Sequence, residues 1–139
     1  MATGREGVNV EIRVAWGEMD TYGHVNNAVF LRWLETARIE WFGAVGFPIE
    51  PGIKGPVLRR ATVEYLSPVT FPDTVAVSVR PTAIGRSSVT LAYKVSSASQ
   101  GKPVAKGETV VVFVDFVAGQ SLALPADVRS RIEAQVSVG

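Results

Sequence analysis

Residues 26–46 read NNAVFLRWLETARIEWFGAVG, and the apolar side chains in this run recur at the 3.6-residue period of a long α-helix. The apolar stripe consists of Phe30, Trp33, Leu34, Ala37, Trp41 and Val45. Asn26 or Asn27 is suited to the N-cap, and Gly46 to the C-terminal stop. The pattern therefore predicts a helix over residues 29–46, about 27 Å long, that is buried on most of its sides.

Strand patterns lie on both sides of this helix. Before it, apolar and polar residues alternate from Val8 to Trp16, as in a half-buried strand. After it come four longer strand-like segments, Val57–Leu66, Val75–Arg80, Ser88–Val95 and Val104–Val117. Within the last of these, the run Val110–Val114 is apolar on both faces and predicts a central strand buried on both sides. Pro125 then opens a short amphipathic segment, Ala126–Val136, which predicts a terminal helix.

This order of elements indicates an α+β fold in which one long antiparallel sheet wraps around one apolar helix. The 139 residues predict a single domain, with an ordered core over about residues 8–136. Such a sheet leaves a long strand edge unpaired, and an open edge can aggregate with other chains. Pairing with a second copy covers this edge. We therefore expect a homodimer that pairs again into a homotetramer.

Composition narrows the functional classes. Apolar residues make up 47% and charged residues 19%, which excludes a disordered chain. The absence of cysteine excludes thiol catalysis and cysteine-ligated metals, and the single histidine, His24, excludes a multi-histidine metal site within one chain. The net charge of +1 shows no excess of basic residues of the kind that binds nucleic acid or an anionic membrane. We expect a cytoplasmic protein that uses no metal or cofactor and binds neither nucleic acid nor membrane.

Reactive side chains cluster just before the long helix. Glu18 and Asp20 are followed by His24 and by the paired asparagines, Asn26 and Asn27. A helix N-terminus presents unpaired N–H groups that can hold a developing oxyanion. A carboxylate on the turn that leads into it can act there as nucleophile or general base. The alternative is an Asx-type turn followed by an N-cap, without chemistry, and spacing alone leaves both interpretations open.

The same segment resembles a known family. The pattern D-x-x-G-H-V-N-N-A-x-F over residues 20–30 is similar to that of the hotdog-fold acyl-CoA thioesterases of the 4-hydroxybenzoyl-CoA thioesterase branch. Further matches follow in the family's order: WLETAR at 33–38, VEYLSP at 63–68, FPD at 71–73, IGRSS at 84–88 and LALP at 122–125. The resemblance covers residues 8 to about 130 and implies a hotdog fold and the hydrolysis of acyl-CoA to free acid and coenzyme A.

The resemblance also implies roles for the residues of the turn. Asp20 matches the catalytic carboxylate, and Asn27 matches the position whose backbone N–H polarises the thioester carbonyl. His24 and Asn26 match residues that shape the site and form hydrogen bonds in it. Glu18 occupies the position of an acidic residue common in the family, and we expect it to brace the turn rather than to react.

Three arginines are candidates for the coenzyme A phosphates, because a guanidinium group donates two parallel hydrogen bonds. In similar proteins the corresponding strands and the turn after Gly85 line the pantetheine channel, which implies this role for Arg59, Arg60 and Arg86. Ser87, in the same turn, is a candidate contact to the ligand. The alternative is that the arginines are solvated side chains on strand faces and that the serine only tolerates a turn.

Four functions are compatible with this sequence. The first is acyl-CoA hydrolysis by Asp20, at a site that lies between subunits in similar proteins. The second is the same reaction on acyl carrier protein, which related hotdog enzymes accept. The third is a hotdog module that binds acyl-CoA without turnover, although such a module has no need of the carboxylate. The fourth is a dehydratase that uses His24 as its acid–base group, but the place of His24 inside G-H-V-N-N favours a thioesterase.

Overall fold

The structure, a computed structural model, describes residues 2–4 and 7–138, with side chains described from Gly7 to Val136. Its two helices are α1 (Asn27–Val45) and α2 (Ala126–Val138). Its strands are β1 (Ala2–Gly4), β2 (Gly7–Arg13), β3 (Lys54–Tyr65), β4 (Thr74–Ile84), β5 (Ser88–Ser97), β6 (Lys102–Asp115) and β7 (Gln120–Ser121). No helix in these described ranges is long and apolar enough to cross a membrane.

The strands form one antiparallel sheet in the order β1-β2-β4-β5-β6-β3, and β7 pairs with β6. Helix α1 packs on β2 and β4, and α2 packs on β4 and on α1. The predicted α+β fold, an antiparallel sheet around one helix, is therefore confirmed. Strand β3 ends the order, so its outer edge has no neighbouring strand among the described residues.

Helix α1 begins and ends where its caps dictate. The side chain of Asn26 accepts a hydrogen bond from the Ala28 N–H, and Gly46 adopts φ 70°, a left-handed conformation suited to a C-cap. The predicted helix over 29–46 therefore begins two residues too late and ends one too late. The prediction that it is buried on most sides is wrong, because the sheet covers one face of α1 and leaves Leu31 and Ile39 44% and 57% exposed.

Two strand predictions also need correction. The first strand ends at Arg13, and Trp16 lies in a short 3-10 helix where it is 71% exposed. Strand β4 continues past Arg80 to Ile84, because a register shift after Pro81 accommodates the missing N–H. Strand β7 and the short β1 carry no sequence signal strong enough to be predicted.

Strand β6 is an internal strand, between β5 and the edge strand β3, and it is buried on one face only. Val111 and Phe113 are buried, whereas Val110, Val112 and Val114 are half-buried on the outer face, which no described element covers. The prediction of burial on both faces is therefore wrong for a single chain. On the inner face, a Cβ at Gly107 would lie 2.8 Å from Leu34 Cδ1, so glycine allows α1 to approach the sheet closely.

Candidate active site

A tight turn carries the predicted catalytic residues to the start of α1. The Asp20 N–H donates to the His24 carbonyl over 2.9 Å, and the Gly23 N–H donates to the Asp20 carbonyl over 3.0 Å. Gly23 has φ 79°, which a residue with a Cβ adopts with difficulty. The Asn26 N–H donates to the Glu18 carbonyl over 3.0 Å. The backbone of residues 18–26 thus closes on itself and fixes the direction of the Asp20 side chain.

The carboxylate of Asp20 is held by two donors. Its Oδ1 accepts the Tyr22 N–H over 2.9 Å, and its Oδ2 accepts Asn26 Nδ2 over 3.2 Å. The other side-chain atom of Asn26, Oδ1, accepts the Ala28 N–H over 2.8 Å. Asn26 therefore caps the helix and orients the carboxylate at the same time.

The backbone N–H of Asn27 points to a role in charge stabilisation. As the first residue of α1, Asn27 has no preceding turn to accept its N–H, and no acceptor for it is present in the described part of the chain. The helix dipole places partial positive charge at this end. A free N–H at a helix N-terminus is a suitable donor to an oxyanion.

Tyr65 supports the same helix end from the opposite strand. Its hydroxyl donates to the Asn27 carbonyl over 2.8 Å, and its ring packs edge-on against Phe30 with centroids 5.2 Å apart. Burial raises the pKa of Tyr65, so the hydroxyl keeps its proton at neutral pH. The sequence analysis assigned no role to Tyr65, although it lies in the matched VEYLSP motif, because its contact with Asn27 joins residues 38 positions apart.

A hollow of about 270 Å³ opens beside this helix end. It is lined by His24, Val25, Asn27, Phe30, Tyr65, Leu66, Ser67 and Pro68. The imidazole of His24 is exposed and has no hydrogen-bond partner among the described residues. Asp20 is not part of the lining and is connected to it through Asn26. The hollow can receive a carbonyl group, with Asn27 and His24 on its wall.

Glu18 forms the hydrogen bonds that a bracing role requires. Its Oε1 accepts the Ala15 N–H over 2.7 Å, its own N–H donates to the Ala15 carbonyl over 3.0 Å, and its carbonyl accepts the Asn26 N–H. All these contacts lie within the turn. The carboxylate of Glu18 is therefore committed to holding the chain that carries Asp20.

The predicted phosphate-binding residues lie apart from Asp20 within one chain. Strand β4 starts beside the turn, where the Val14 N–H donates to the Asp73 carbonyl, and it runs for about 33 Å before the turn that holds Arg86 and Ser87. Arg86 Nη1 donates to Ser87 Oγ over 3.1 Å, and Ser87 is buried. Within a single chain, the structure does not bring these two residues to the Asp20 turn.

Arg59 and Arg60 lie on β3, where the register with β6 shifts between Leu58 and Arg60. Both side chains are exposed, and within the described chain neither takes part in an ion pair. Both lie on the strand whose outer edge is unpaired. Their guanidinium groups are therefore available to an anion.

Comparison with known proteins places the chain in a family. A family model for the thioesterase-like superfamily matches residues 14–132. A solved thioesterase from Thermus thermophilus, complexed with coenzyme A and Zn, is 38% identical, with a TM-score of 0.78 over 89% of this chain and 95% of that one.

Two curated proteins are more distant relatives. The long-chain acyl-CoA thioesterase FadM of Escherichia coli is 24% identical over 93% of this chain and 99% of its own length. The chloroplastic acyl-acyl carrier protein thioesterase ATL3 of Arabidopsis thaliana is 22% identical over 88% of this chain and 65% of its own length. The family match spans the turn, α1, strands β3 to β7 and the first part of α2. The chain therefore belongs to the thioesterase-like superfamily, has the hotdog fold and is a thioester hydrolase.

Proposed function

We propose that this chain hydrolyses acyl-CoA thioesters to a free carboxylic acid and coenzyme A. The observation that carries the proposal is the hydrogen bond from Asn26 to Asp20, because it holds a carboxylate next to the free N–H of Asn27. A nucleophile or base and an oxyanion donor are the two groups that acyl transfer needs. The family match favours hydrolysis over acyl-CoA binding without turnover and over a dehydratase reaction.

In the proposed mechanism the thioester carbonyl enters the hollow beside Asn27 and its oxygen accepts the Asn27 N–H. Asp20 then attacks the carbonyl carbon or takes a proton from an attacking water molecule. Negative charge gathers on the carbonyl oxygen and is stabilised by the N–H and the helix dipole. The C–S bond breaks and the thiolate of coenzyme A leaves. Where Asp20 is the nucleophile, water then hydrolyses the acyl–Asp20 anhydride to the free acid and restores the carboxylate. His24 and Asn26 keep the site in shape.

The carrier of the acyl group is proposed from the relatives and from charge. The Thermus thermophilus relative, at 38% identity, was solved with coenzyme A. Arg59, Arg60 and Arg86 supply guanidinium groups for its phosphates. The alternative carrier is acyl carrier protein, on which the Arabidopsis relative acts according to its name. Either carrier fits the cytoplasmic location that we expect.

We further propose that the working form is a homodimer, which associates again into a homotetramer. The outer edge of β3 is unpaired, and Val57, Leu58 and Tyr65 on this strand are exposed. Pairing of this edge with a second copy removes the open edge. A second copy would also supply Arg86 and Ser87, which lie at the far end of β4 in the same chain, to a ligand at Asp20. Sedimentation that finds an active monomer contradicts the proposal.

The test is a panel of acyl-CoA thioesters incubated with the protein, with free thiol as the readout. We expect turnover on several members and its loss in Asp20→Asn. An acyl carrier protein that carries the same acyl groups forms the second arm and decides the carrier. Absence of thiol release from either carrier overturns the proposed function. Single-turnover reaction in ¹⁸O-labelled water separates the two routes. Attack by water places the label in the product acid, whereas an acyl–Asp20 anhydride that water opens at the Asp20 carbon places it in the protein carboxylate.

A further inference from the structure

The turn between β4 and β5 carries Arg86 and Ser87, the proposed contacts to coenzyme A. Two hydrogen bonds join this turn to the sheet: the Gly85 N–H donates to the Ser88 carbonyl over 2.8 Å, and the Phe113 N–H of β6 donates to the Ser87 carbonyl over 2.8 Å. The two carbonyls between them, those of Gly85 and Arg86, are bound from another part of the fold, the C-terminal helix α2.

Arg129 of α2 binds both of these carbonyls. Its Nη2 donates to the Gly85 carbonyl over 2.5 Å and to the Arg86 carbonyl over 3.3 Å. Its Nη1 pairs with Glu133 Oε1 over 3.4 Å, one turn further along α2. The Leu124 N–H, just before the helix, also donates to the Arg86 carbonyl, over 2.9 Å. The half-buried side chain of Arg129 therefore fastens the turn to α2.

These contacts determine where the N–H groups of the turn point. In a planar trans peptide the carbonyl and the N–H of the next residue point in opposite directions, and both peptide bonds concerned are trans. Because Arg129 binds the Gly85 and Arg86 carbonyls, the N–H groups of Arg86 and Ser87 point away from it. Neither N–H has an acceptor in the described part of the chain. Successive free N–H groups in a turn can hold an anion, here beside the exposed guanidinium group of Arg86.

We propose that Arg129 is a positioning residue for coenzyme A, because it holds the β4–β5 turn in the form that meets the phosphates. This role rests on the proposed function and adds a residue to it. Arg129 acts through the turn and not on the ligand: its Nη2 faces two backbone carbonyls and its Nη1 faces Glu133. Arg86 and the free N–H groups are the atoms that meet the phosphates.

Arg131, two positions further along α2, offers a matched control. Its Nη1 donates to the Val45 carbonyl at the end of α1 over 3.0 Å, and its Nη2 pairs with Asp127 over 3.4 Å. Like Arg129, it ties α2 to a backbone carbonyl of another element. Its contacts lie at α1 and not at the β4–β5 turn, so its loss should loosen α2 without changing the turn.

The experiment compares two thioesters of the same acyl group, acyl-CoA and acyl-pantetheine, of which only the first carries the nucleotide phosphates. The acyl group is the one that the panel of thioesters shows to be hydrolysed fastest. Arg129→Met keeps the aliphatic part of the side chain and removes its donors. We expect it to narrow the kcat/KM preference for acyl-CoA about fivefold, roughly the value of one hydrogen bond. The change should lie in KM and not in kcat, since the phosphates are remote from the reacting bond. Arg129→Lys keeps a charged donor and should retain part of the preference.

The control variant is Arg131→Met, which should lower the melting temperature and leave the preference as in wild type. If Arg131→Met narrows the preference as much as Arg129→Met does, general loosening of α2 explains both results and the positioning role is overturned. It is also overturned if Arg129→Met lowers the melting temperature alone, or if wild type shows no preference for acyl-CoA.

A double variant separates positioning from direct contact. Arg86→Ala should narrow the same preference about tenfold, the effect of a charge-assisted hydrogen bond. Since Arg129 acts through the turn that carries Arg86, the double variant should lose less than the product of the two single losses. A loss equal to that product means that Arg129 acts independently of Arg86, and it overturns the positioning role.

Binding of coenzyme A alone separates this role from the proposed function. Calorimetry gives the Kd of coenzyme A for wild type, Arg129→Met and Arg131→Met, with no acyl group to hydrolyse. If no thioester is hydrolysed but Arg129→Met alone weakens binding about fivefold, the proposed function fails and the positioning role stands. Equal affinity in wild type and Arg129→Met, or no measurable binding to wild type, overturns it.

Discussion

Two aspartates, Asp20 and Asp73, lie on neighbouring turns of the molecule and are held in opposite ways. Asp73 is saturated: Oδ1 accepts the N–H groups of Thr74 and Ser99, over 2.7 and 2.9 Å, and Oδ2 accepts the Ser97 hydroxyl. Asp20 accepts two hydrogen bonds, one of them the longer contact of 3.2 Å from an exposed asparagine side chain. The carboxylate of Asp73 links neighbouring strands through its hydrogen bonds. The carboxylate of Asp20 is oriented by its two hydrogen bonds but keeps acceptor positions free.

The difference sets a turn that serves stability beside a turn that we propose serves chemistry, each built around an aspartate. The backbone of Asp73 accepts the Val14 N–H, and Thr74 accepts the Ala98 N–H, so this turn joins β2, β4 and β5. The turn at Asp20 instead borders a free helix N–H and a hollow. A carboxylate that is to attack a carbonyl must keep a lone pair free. We therefore expect replacement of Asp20 to lower activity and replacement of Asp73 to lower stability.

The sharpest test of the comparison is to replace each carboxylate by an amide of the same shape. Asp20→Asn is expected to lower kcat about 10²–10⁴-fold, the usual cost of removing a positioned acid–base group, with an unchanged melting temperature. Asp73→Asn should keep most of the activity, and Glu18→Gln should be milder than Asp20→Asn. Thiol release and thermal melting measure both properties. Near wild-type turnover in Asp20→Asn would contradict the comparison.

Asp73→Ala is expected to affect folding rather than catalysis. Loss of its hydrogen bonds should lower the free energy of unfolding by about 2 kcal/mol, allowing for its partial exposure. Burial raises the pKa of Asp73, but the hydrogen bonds from Ser97, Ser99 and Thr74 outweigh it and hold the pKa below the usual 3.8. Its contribution is therefore complete above that value and is lost as the pH falls through the lower folded pKa. Urea unfolding should show the gap between wild type and variant narrowing as the pH falls below 3.8. A gap that stays equal to the one at pH 7 contradicts this account.

Asn26→Ser tests the orientation of Asp20 separately from helix capping. Serine caps a helix about as well as asparagine, but it is too short to replace the amide that reaches Asp20. We expect kcat to fall about tenfold, the value of one hydrogen bond to a charged group, with little change in melting temperature. Asn26→Ala should lose the cap as well, at about 1 kcal/mol. Equal kinetics for Asn26→Ser and wild type would show that Asp20 needs no support from Asn26.

Tyr65→Phe should give the smallest effect, because it removes only the hydroxyl that holds the Asn27 carbonyl. The ring remains against Phe30, so we expect melting within a few degrees of wild type. The expected loss is about threefold in kcat with KM unchanged, as for a neutral hydrogen bond that helps to fix the oxyanion donor. A change confined to KM would assign Tyr65 to substrate binding instead.

Local patterns in the sequence predicted what local forces determine. The caps and period of α1, the alternation of β2 and the order of the long strands follow from neighbouring residues, and the structure confirms them within a few positions. The bracing role expected of Glu18 came from the family resemblance, and its hydrogen bonds, all within eight positions, are compatible with it. The candidate site was predicted from the position of Asp20 and Asn26 just before the helix.

Long-range packing explains what the sequence did not predict. The hydroxyl of Tyr65 reaches Asn27 only because the end of β3 comes to lie beside the start of α1. Periodicity marks Leu31, Ile39 and Val112 as apolar but does not say whether another surface covers them. The separation of Arg86 from Asp20 depends on the direction of β4 in the sheet, which no motif encodes.

Because one side chain, Asn26, both closes the first turn of α1 and orients Asp20, fraying of the helix and misalignment of the carboxylate are the same event. Helix ends open far more readily than a whole domain unfolds. Activity should therefore decline with temperature before the fold melts, and the optimum should lie below the melting point. Exchange of the Ala28 amide with deuterium reports this opening directly, and its rate and the loss of activity should rise together on heating.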